Sequence, residues 1–97
     1  MTPKEHEDII NLIHSLANQD KYILLLHARH RMNERGLTDE DIKDILTNVN
    51  QILRIDEENP DGITSYKIEG GLHNHRLAIK FNLTELIIII TVMDRHS

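Results

Sequence analysis

The segment Leu86-Ile-Ile-Ile-Ile90-Thr-Val-Met93 decides the fold of this 97-residue chain. It is rich in β-branched residues and is apolar on both of its alternating faces, apart from Thr91. That pattern is typical of a central strand that is covered on both sides of its sheet, or nearly so. The run is too short to span a bilayer. It therefore predicts a strand in the middle of a globular core.

Three further strands are predicted upstream, where the period of the apolar residues changes from helical to extended. The four predicted strands cover residues 51–56, 64–69, 76–82 and 85–93. Turn residues connect them: Asn59-Pro-Asp-Gly62, then Gly70-Gly71, then Asn82-Leu-Thr84. These short connections predict a four-stranded antiparallel meander.

Three helices are predicted before the sheet. The first covers residues 4–18, with His6 and His14 expected at its surface. The second covers residues 27–36, and the third begins at the cap Thr38 and continues through apolar positions as far as Val49. Residues 22–26 can be a small strand or a lead-in to the second helix. Helices followed by strands predict an α+β fold. We expect one domain over 1–97, with an N-terminal helix in 1–20 and the core in 21–97.

Composition excludes several classes of function. The chain has no cysteine, which rules out disulfides, zinc-thiolate sites and thiol nucleophiles. Only 3% of its residues are aromatic, which argues against a protein that stacks single-stranded bases. The polar start of the chain holds no apolar signal core, so we expect a soluble, cytoplasmic protein with no membrane partner. The net charge of -5 is unevenly distributed, so basic islands can still hold phosphate.

The basic segment His27-Ala-Arg-His-Arg-Met-Asn-Glu-Arg-Gly36 is the strongest functional signal. In a helix, His27, Arg31 and Arg35 share one face because they are spaced four residues apart. Two residues on an adjoining face can pack this helix onto the domain: Ala28 and Met32. Gly36 is suited to end the helix. The alternative interpretation is an ordinary solvated helix rich in arginine.

A second basic group is predicted on the third strand, where Arg76, Ala78 and Lys80 share one face by the two-residue period. The opposite face of that strand is apolar: Leu77, Ile79 and Phe81. If the helices pack on the sheet, this group can meet the basic helix, together with Tyr66 and the histidines of the preceding loop, His73 and His75. The alternative is a solvent-exposed sheet face.

A surface that combined these groups would suit cleavage of RNA without a metal or other cofactor. The ribose 2′-hydroxyl attacks the adjacent phosphate, a base accepts its proton, an acid protonates the leaving oxygen, and cations stabilise the phosphate charge. Histidine and arginine suit these tasks. The candidate catalytic residues are His27, Arg31, Arg35 and Arg76. The candidate RNA-binding residues are Arg29, His30, Tyr66, His75 and Lys80.

A metal site is the competing use of the histidines, through His27-x-x-His30 or His73-x-His75. We predict no metal site, because Arg29 and Arg31 would repel a cation and because a metal needs further supporting ligands.

The same motif resembles a family of small bacterial proteins known as domain of unknown function 4258. The likeness rests on His27-Ala28, Arg31-Met32 and Glu34-Arg35-Gly36, and continues through Tyr66 and Gly70 to Ile90-Thr91-Val92. The family is similar to the RelE-like group of compact ribonuclease toxins, including BrnT-like and MqsR-like toxins. That likeness implies helices packed on a four-stranded antiparallel sheet of the barnase/EndoU/colicin/RelE type.

The resemblance also implies a function and a partner. His27, Arg31 and Arg35 match the polar signature positions of the family, and Arg76 and Lys80 lie on a strand where such toxins often carry basic residues. The family often has an aromatic residue where this chain has Met93, a difference that could remove a substrate contact. The resemblance implies a toxin-like endoribonuclease of a toxin-antitoxin module, with RNA as substrate and a cognate antitoxin as partner.

Two other functions compete with this one. The basic helix could dock an acidic protein segment in a non-catalytic interaction module, such as an inactive toxin relative or a regulatory subunit. A dimer formed through an exposed strand edge is a third interpretation. The sequence leaves the oligomeric state open.

Overall fold

The computed structural model describes residues 3–93, and the order of its elements is that of an α+β protein. The elements are α1 (Pro3–Asn18), β1 (Tyr22–Leu24), α2 (Leu26–Glu34), α3 (Asp39–Thr47), β2 (Val49–Asp56), β3 (Ser65–Gly70), β4 (His75–Phe81) and β5 (Ile87–Met93). The three predicted helices and four predicted strands are confirmed, with small shifts at their ends. Val49, predicted to continue the third helix, instead begins β2, because α3 ends at Thr47 and Asn48 caps it.

The sheet corrects the prediction of four antiparallel strands, because it has five strands in the order β1-β5-β4-β3-β2. The added strand β1 pairs with β5 in parallel, and Ile23 lies opposite Ile88. The other three pairings are antiparallel. This parallel pairing joins segments far apart in sequence, and three residues are too few to show the two-residue period. The run at 22–26, which the sequence left open, therefore begins with a strand that covers the outer edge of β5.

The core lies on one side of the sheet only. Ile87, Ile89 and Val92 of β5 are fully buried, as are Leu77 and Ile79 of β4. The helices cover these side chains with apolar residues that are also buried: Ile13, Leu16, Ala17, Ala28, Met32, Ile42, Ile45 and Leu46. The position of β5 in the middle of the apolar layer is confirmed. Both faces of β5 were predicted to be covered, or nearly so. The helices cover one face, and the residues of the other face are half-buried.

The connection between α2 and α3 follows the predicted signals. Gly36 adopts a left-handed φ of 68°, which ends α2. Thr38 caps α3, since its Oγ1 accepts the backbone N–H of Asp41 at 3.2 Å, while the Asp41 carboxylate accepts the Thr38 N–H at 2.8 Å. The hydrogen bonds that this carboxylate accepts from the backbone N–H and from the Oγ1 hydroxyl of Thr38 lower the pKa of Asp41. The start of α3 is thereby fixed at Thr38, as its capping signal predicted.

His14 corrects the prediction of a surface histidine. It is half-buried on α1, and its Nε2 accepts the backbone N–H of Val49 at 3.1 Å, where β2 begins. Burial lowers the pKa of His14 from its ordinary value of 6.5. Accepting this bond requires a neutral ring, because a protonated imidazole has no acceptor. His14 therefore joins α1 to the sheet in its neutral form.

Acidification is expected to weaken the fold through His14. The unfolded chain takes up a proton at this residue at higher pH than the folded chain does, so stability falls as pH drops below about 6.5. Urea unfolding at a series of pH values should show a shallower loss of stability between about pH 7 and pH 5 for His14→Gln than for the wild type. Equal slopes for the two proteins would contradict this role.

Candidate functional site

The helix α2 presents its polar side chains to solvent while its other side is anchored in the core. Ala28 and Met32 are 0% and 4% exposed, which confirms that they pack the helix onto the domain. His27 is exposed in the first turn, and Arg31 lies one turn further on, with 31% of its side chain exposed. Arg35 caps the helix, about 12 Å from His27 along the axis. These three residues form what we call the α2 face.

Carboxylates balance much of the positive charge of this helix. Arg29 lies 3.5 Å from Asp39, and the Nε2 of His30 lies 2.8 Å from an oxygen of Glu34. The other oxygen of Glu34 is 3.9 Å from Arg31, near the limit of an ion pair. His27 differs, since its side chain makes no hydrogen bond or ion pair with any other residue of 3–93. The most accessible reactive group of the α2 face is therefore its histidine.

The start of α2 has no side-chain cap. Leu25 occupies the cap position, and the first turn contains no acidic residue. The first N–H groups of a helix have no partners within the helix, and the helix dipole places partial positive charge there. His27 is the second residue of α2, so its own backbone N–H is one of these groups, and the partial positive charge there favours a negatively charged ligand.

Arg76 and Lys80 lie on the other side of the sheet. Their neighbours Leu77 and Ile79 point into the core, so the alternation of a strand directs Arg76 and Lys80 away from the helices. The prediction that they share a face is confirmed. Arg76 and Lys80 were expected to lie close to the α2 face. They do not, because the sheet itself lies between the two groups.

Both of these cations are also paired. The Nε of Arg76 donates to Glu69 at 3.0 Å, and this pair is largely buried, with side-chain exposures of 23% and 14%. The Nζ of Lys80 donates to Asp61 at 3.0 Å. That contact also lowers the pKa of Asp61, after the larger effect of a hydrogen bond from the Ile63 N–H. Each cation therefore already holds a carboxylate where phosphate was predicted.

Tyr66 and His75 lie on the helix side of the sheet but at opposite ends of it. Tyr66 packs edge to face against Phe81 with ring centroids 5.6 Å apart, and burial followed by the charge of Glu57 raises its pKa. His75 opens β4 beside His73, at 6.0 Å between centroids. The loop that precedes His75 contacts α3, because the backbone N–H of Leu72 donates to the Asp44 carboxylate at 2.9 Å. Along the strands, Tyr66 and His75 are separated by about 13 Å.

A pocket of about 250 Å³ lies beside Lys80, and the sequence did not predict it. Its lining residues are Asn59, Pro60, Asp61, Ile63, Ser65, Lys80 and Ile90. It forms because the turn at residues 59–62 lies close to the side of the sheet that faces away from the helices. The turn was evident from its Pro and Gly, whereas its contact with Lys80 depends on tertiary structure.

The histidine pairs considered as metal ligands have no further ligand beside them among the residues that the structure describes. Within residues 3–93, no three side chains of His, Cys, Asp or Glu come together as a possible metal site.

Among the same residues, no helix has the length and apolar character needed to cross a membrane.

Comparison with known proteins identifies the family of the chain. The profile of a domain of unknown function, DUF4258, matches residues 24–94, which include the basic motif of α2 and all of α3 and β2 to β5. No curated protein and no solved structure matches the chain. The likeness to RelE-like toxins is thus unsupported by any matched relative, and its four-stranded sheet differs from the sheet found here. The chain belongs to the family described as domain of unknown function (DUF4258).

Proposed function

We propose that this chain is a toxin-like, metal-independent endoribonuclease whose reacting groups lie on the α2 face. The observation that carries the proposal is the exposed His27 at the uncapped start of α2, with Arg31 one turn away. An imidazole beside helix N–H groups and an arginine suits a reaction at a phosphate group. Arg76 and Lys80, on the far side of the sheet, have no part in this version of the site.

The proposed reaction uses the ribose as its own nucleophile. His27 accepts the proton of the 2′-hydroxyl while the 2′-oxygen forms a bond to phosphorus and the bond to the 5′-oxygen breaks. The leaving oxygen takes a proton from water or from His30, the next imidazole along α2. Arg31 holds the charge that develops on the phosphate. The products are a 2′,3′-cyclic phosphate and a 5′-hydroxyl, which identify this chemistry in an assay.

The test uses purified protein and a labelled single-stranded RNA in the presence of EDTA. We expect cleavage by the wild type, and a rate reduced at least about 100-fold in His27→Ala because a general base is lost. Arg31→Ala should reduce the rate by about 100-fold through weaker stabilisation of phosphate charge. Replacing the ribose at the cleaved position with deoxyribose should abolish cleavage.

The matched control is Arg54→Ala, which removes an exposed cation paired with Asp56 on β2, remote from α2. Its cleavage rate should equal that of the wild type. Intact RNA with folded wild-type protein, or equal rates for the wild type and His27→Ala, would refute the ribonuclease proposal.

A non-catalytic interaction module is the second candidate function, and one observation favours it. The helix cations already bind carboxylates, and Leu25 and Leu26 beside them are 39% and 87% exposed. An acidic and apolar segment of a partner protein, such as a cognate antitoxin, would suit this combination. In that case Leu26→Ser and Arg31→Ala should weaken partner binding, His27→Ala should not, and RNA should stay intact.

A further inference from the structure

The pocket beside Lys80 lies between the sheet and the connection that joins β2 to β3. Its floor is formed by Ser65, Lys80 and Ile90, which belong to β3, β4 and β5. Residues 59–61 and Ile63 of the connection form its other walls. Ser65 and Lys80 are register partners on neighbouring strands, so their side chains emerge next to each other on the same face of the sheet. The two polar side chains of the floor therefore converge on one cavity.

Hydrogen bonds of its own side chains hold the connection over this floor. The Nδ2 of Asn59 donates to the carbonyl oxygen of Ile63 at 2.7 Å and to the Oγ of Ser65 at 3.1 Å. The Oδ1 of Asp61 accepts the backbone N–H of Ile63 at 2.9 Å, and its Oδ2 accepts from the Nζ of Lys80 at 3.0 Å. Both carboxylate oxygens of Asp61 are thus engaged. The pocket is formed by contacts within the chain and needs no ligand to shape it.

Two hydrogen-bond donors at the floor of the pocket are left without an acceptor. The ammonium group of Lys80 has three N–H groups, and Asp61 is its only acceptor among residues 3–93. Only 22% of the Lys80 side chain is exposed. The hydroxyl of Ser65 accepts from Asn59, and its own proton has no acceptor in the same part of the chain. A ligand of this pocket should therefore supply hydrogen-bond acceptors.

Charge and size narrow the class of ligand further. Asp61 already balances the charge of Lys80, so a carboxylate or phosphate would place a second negative charge beside Asp61. A carbonyl oxygen accepts two hydrogen bonds without adding charge. The rest of the lining includes three apolar residues: Pro60, Ile63 and Ile90. The volume of about 250 Å³ is below the range of about 300 to 1,000 Å³ that is usual for ligand pockets, which favours a small molecule.

We propose that this pocket binds a small uncharged compound that carries a carbonyl group on an apolar body, such as an amide or a lactam. Lys80 and Ser65 donate to the carbonyl oxygen, and the apolar body packs against Ile63 and Ile90. The sheet separates the pocket from the α2 face, so this inference does not rest on the proposed ribonuclease activity.

The test is a titration of the isotope-labelled full chain with δ-valerolactam, followed through the backbone amide signals in NMR spectra. We expect saturable shift changes at residues 61–65, 80 and 90, and unchanged signals in α2. Pentanoate has the same number of carbon atoms but carries a carboxylate. It should bind at least about tenfold more weakly, because Asp61 repels its charge.

Lys80→Met tests the role of the ammonium group, because methionine keeps an unbranched apolar stem and removes the N–H donors. It should weaken lactam binding at least about tenfold, through loss of a hydrogen bond from a charged donor. Ser65→Ala removes the neutral donor and should weaken binding by about threefold to tenfold. Lys67→Met is the matched control, since Lys67 lies on the same face of β3 but outside the pocket. Its affinity for the lactam should equal that of the wild type.

Three results would overturn the proposal. The first is a titration in which δ-valerolactam causes no saturable change at the residues of the pocket. The second is pentanoate that binds as tightly as the lactam or more tightly, which would identify an anion site. The third is a folded Lys80→Met that binds the lactam like the wild type. If the NMR spectrum shows Lys80→Met to be unfolded, Ser65→Ala replaces it, and an unchanged affinity in that variant refutes the site.

Discussion

Replacing Gly70 with alanine is expected to cost about 3 kcal/mol of unfolding free energy. A Cβ atom at this position would lie 2.5 Å from the carbonyl oxygen of Ile45 and 2.7 Å from that of Asn48. It would also lie 2.9 Å from the Cα of Val49. All three atoms belong to the backbone, so no side-chain rotation relieves the overlap. The end of α3 would have to move away from β3, which would open the core.

Gly62→Ala is the matched control for this prediction. Gly62 has a φ of 73°, and no atom lies within 4 Å of the position that a Cβ would occupy there. Alanine at this position therefore costs only the strain of a left-handed residue, about 1 to 2 kcal/mol. Urea unfolding of both variants separates the two effects. A loss for Gly70→Ala no larger than that for Gly62→Ala would show that α3 is not held in contact with the sheet at this point.

Ile89→Ala is expected to destabilise the chain by about 2 to 5 kcal/mol. Ile89 is fully buried in the middle of β5 and is paired with Leu24 on one side and Ile79 on the other. Its truncation leaves a cavity that rigid neighbouring strands cannot fill. A small domain has about 5 to 15 kcal/mol of stability in all, so the loss should be evident as a lower midpoint in urea.

Ile63→Ala tests whether this effect comes from burial. Ile63 is 39% exposed in the connection between β2 and β3, and removing the same atoms there should cost about 1 kcal/mol or less. Similar losses at the two positions would contradict the assignment of β5 to the centre of the core. Urea unfolding of His27→Ala and Arg31→Ala also serves the ribonuclease test. An unchanged midpoint in these variants shows that a loss of activity is not caused by unfolding.

The elements were predictable because their signals are local. The caps and breakers at Thr38 and Gly36 act within one turn of the helix, and the apolar period of α1 and α3 is visible without knowledge of the partner surface. The family motif is a contiguous segment of ten residues, His27 to Gly36, most of which form α2. The parallel pairing of β1 with β5 has no such local signal, since three residues carry no reliable period and the partner strand is distant in sequence.

The candidate site was predictable only for the residues that lie together on one helix. The spacing of His27, Arg31 and Arg35 on α2 follows from helix geometry alone. The apolar face of β4 was evident from its alternation, whereas the prediction that Arg76 meets that helix also required the helix to reach the opposite face of the strand. The acidic partners of Arg76 and Lys80 come from β3 and from a turn. Such contacts between elements cannot be inferred from the spacing of residues within either element.

By itself, the sequence determined the type and order of the helices and strands, the apolar character of β5 and the family of the chain, because each depends on residues close together or on a contiguous motif. Only the tertiary structure decided that β1 joins the sheet, that Ile87 and Ile89 are buried while Ile88 and Ile90 face outward, and that the two basic groups lie on opposite sides of the sheet. The physical reason is that burial and charge pairing are properties of surfaces brought together by folding. Four consecutive isoleucines are chemically identical until one side of their strand is covered by helices.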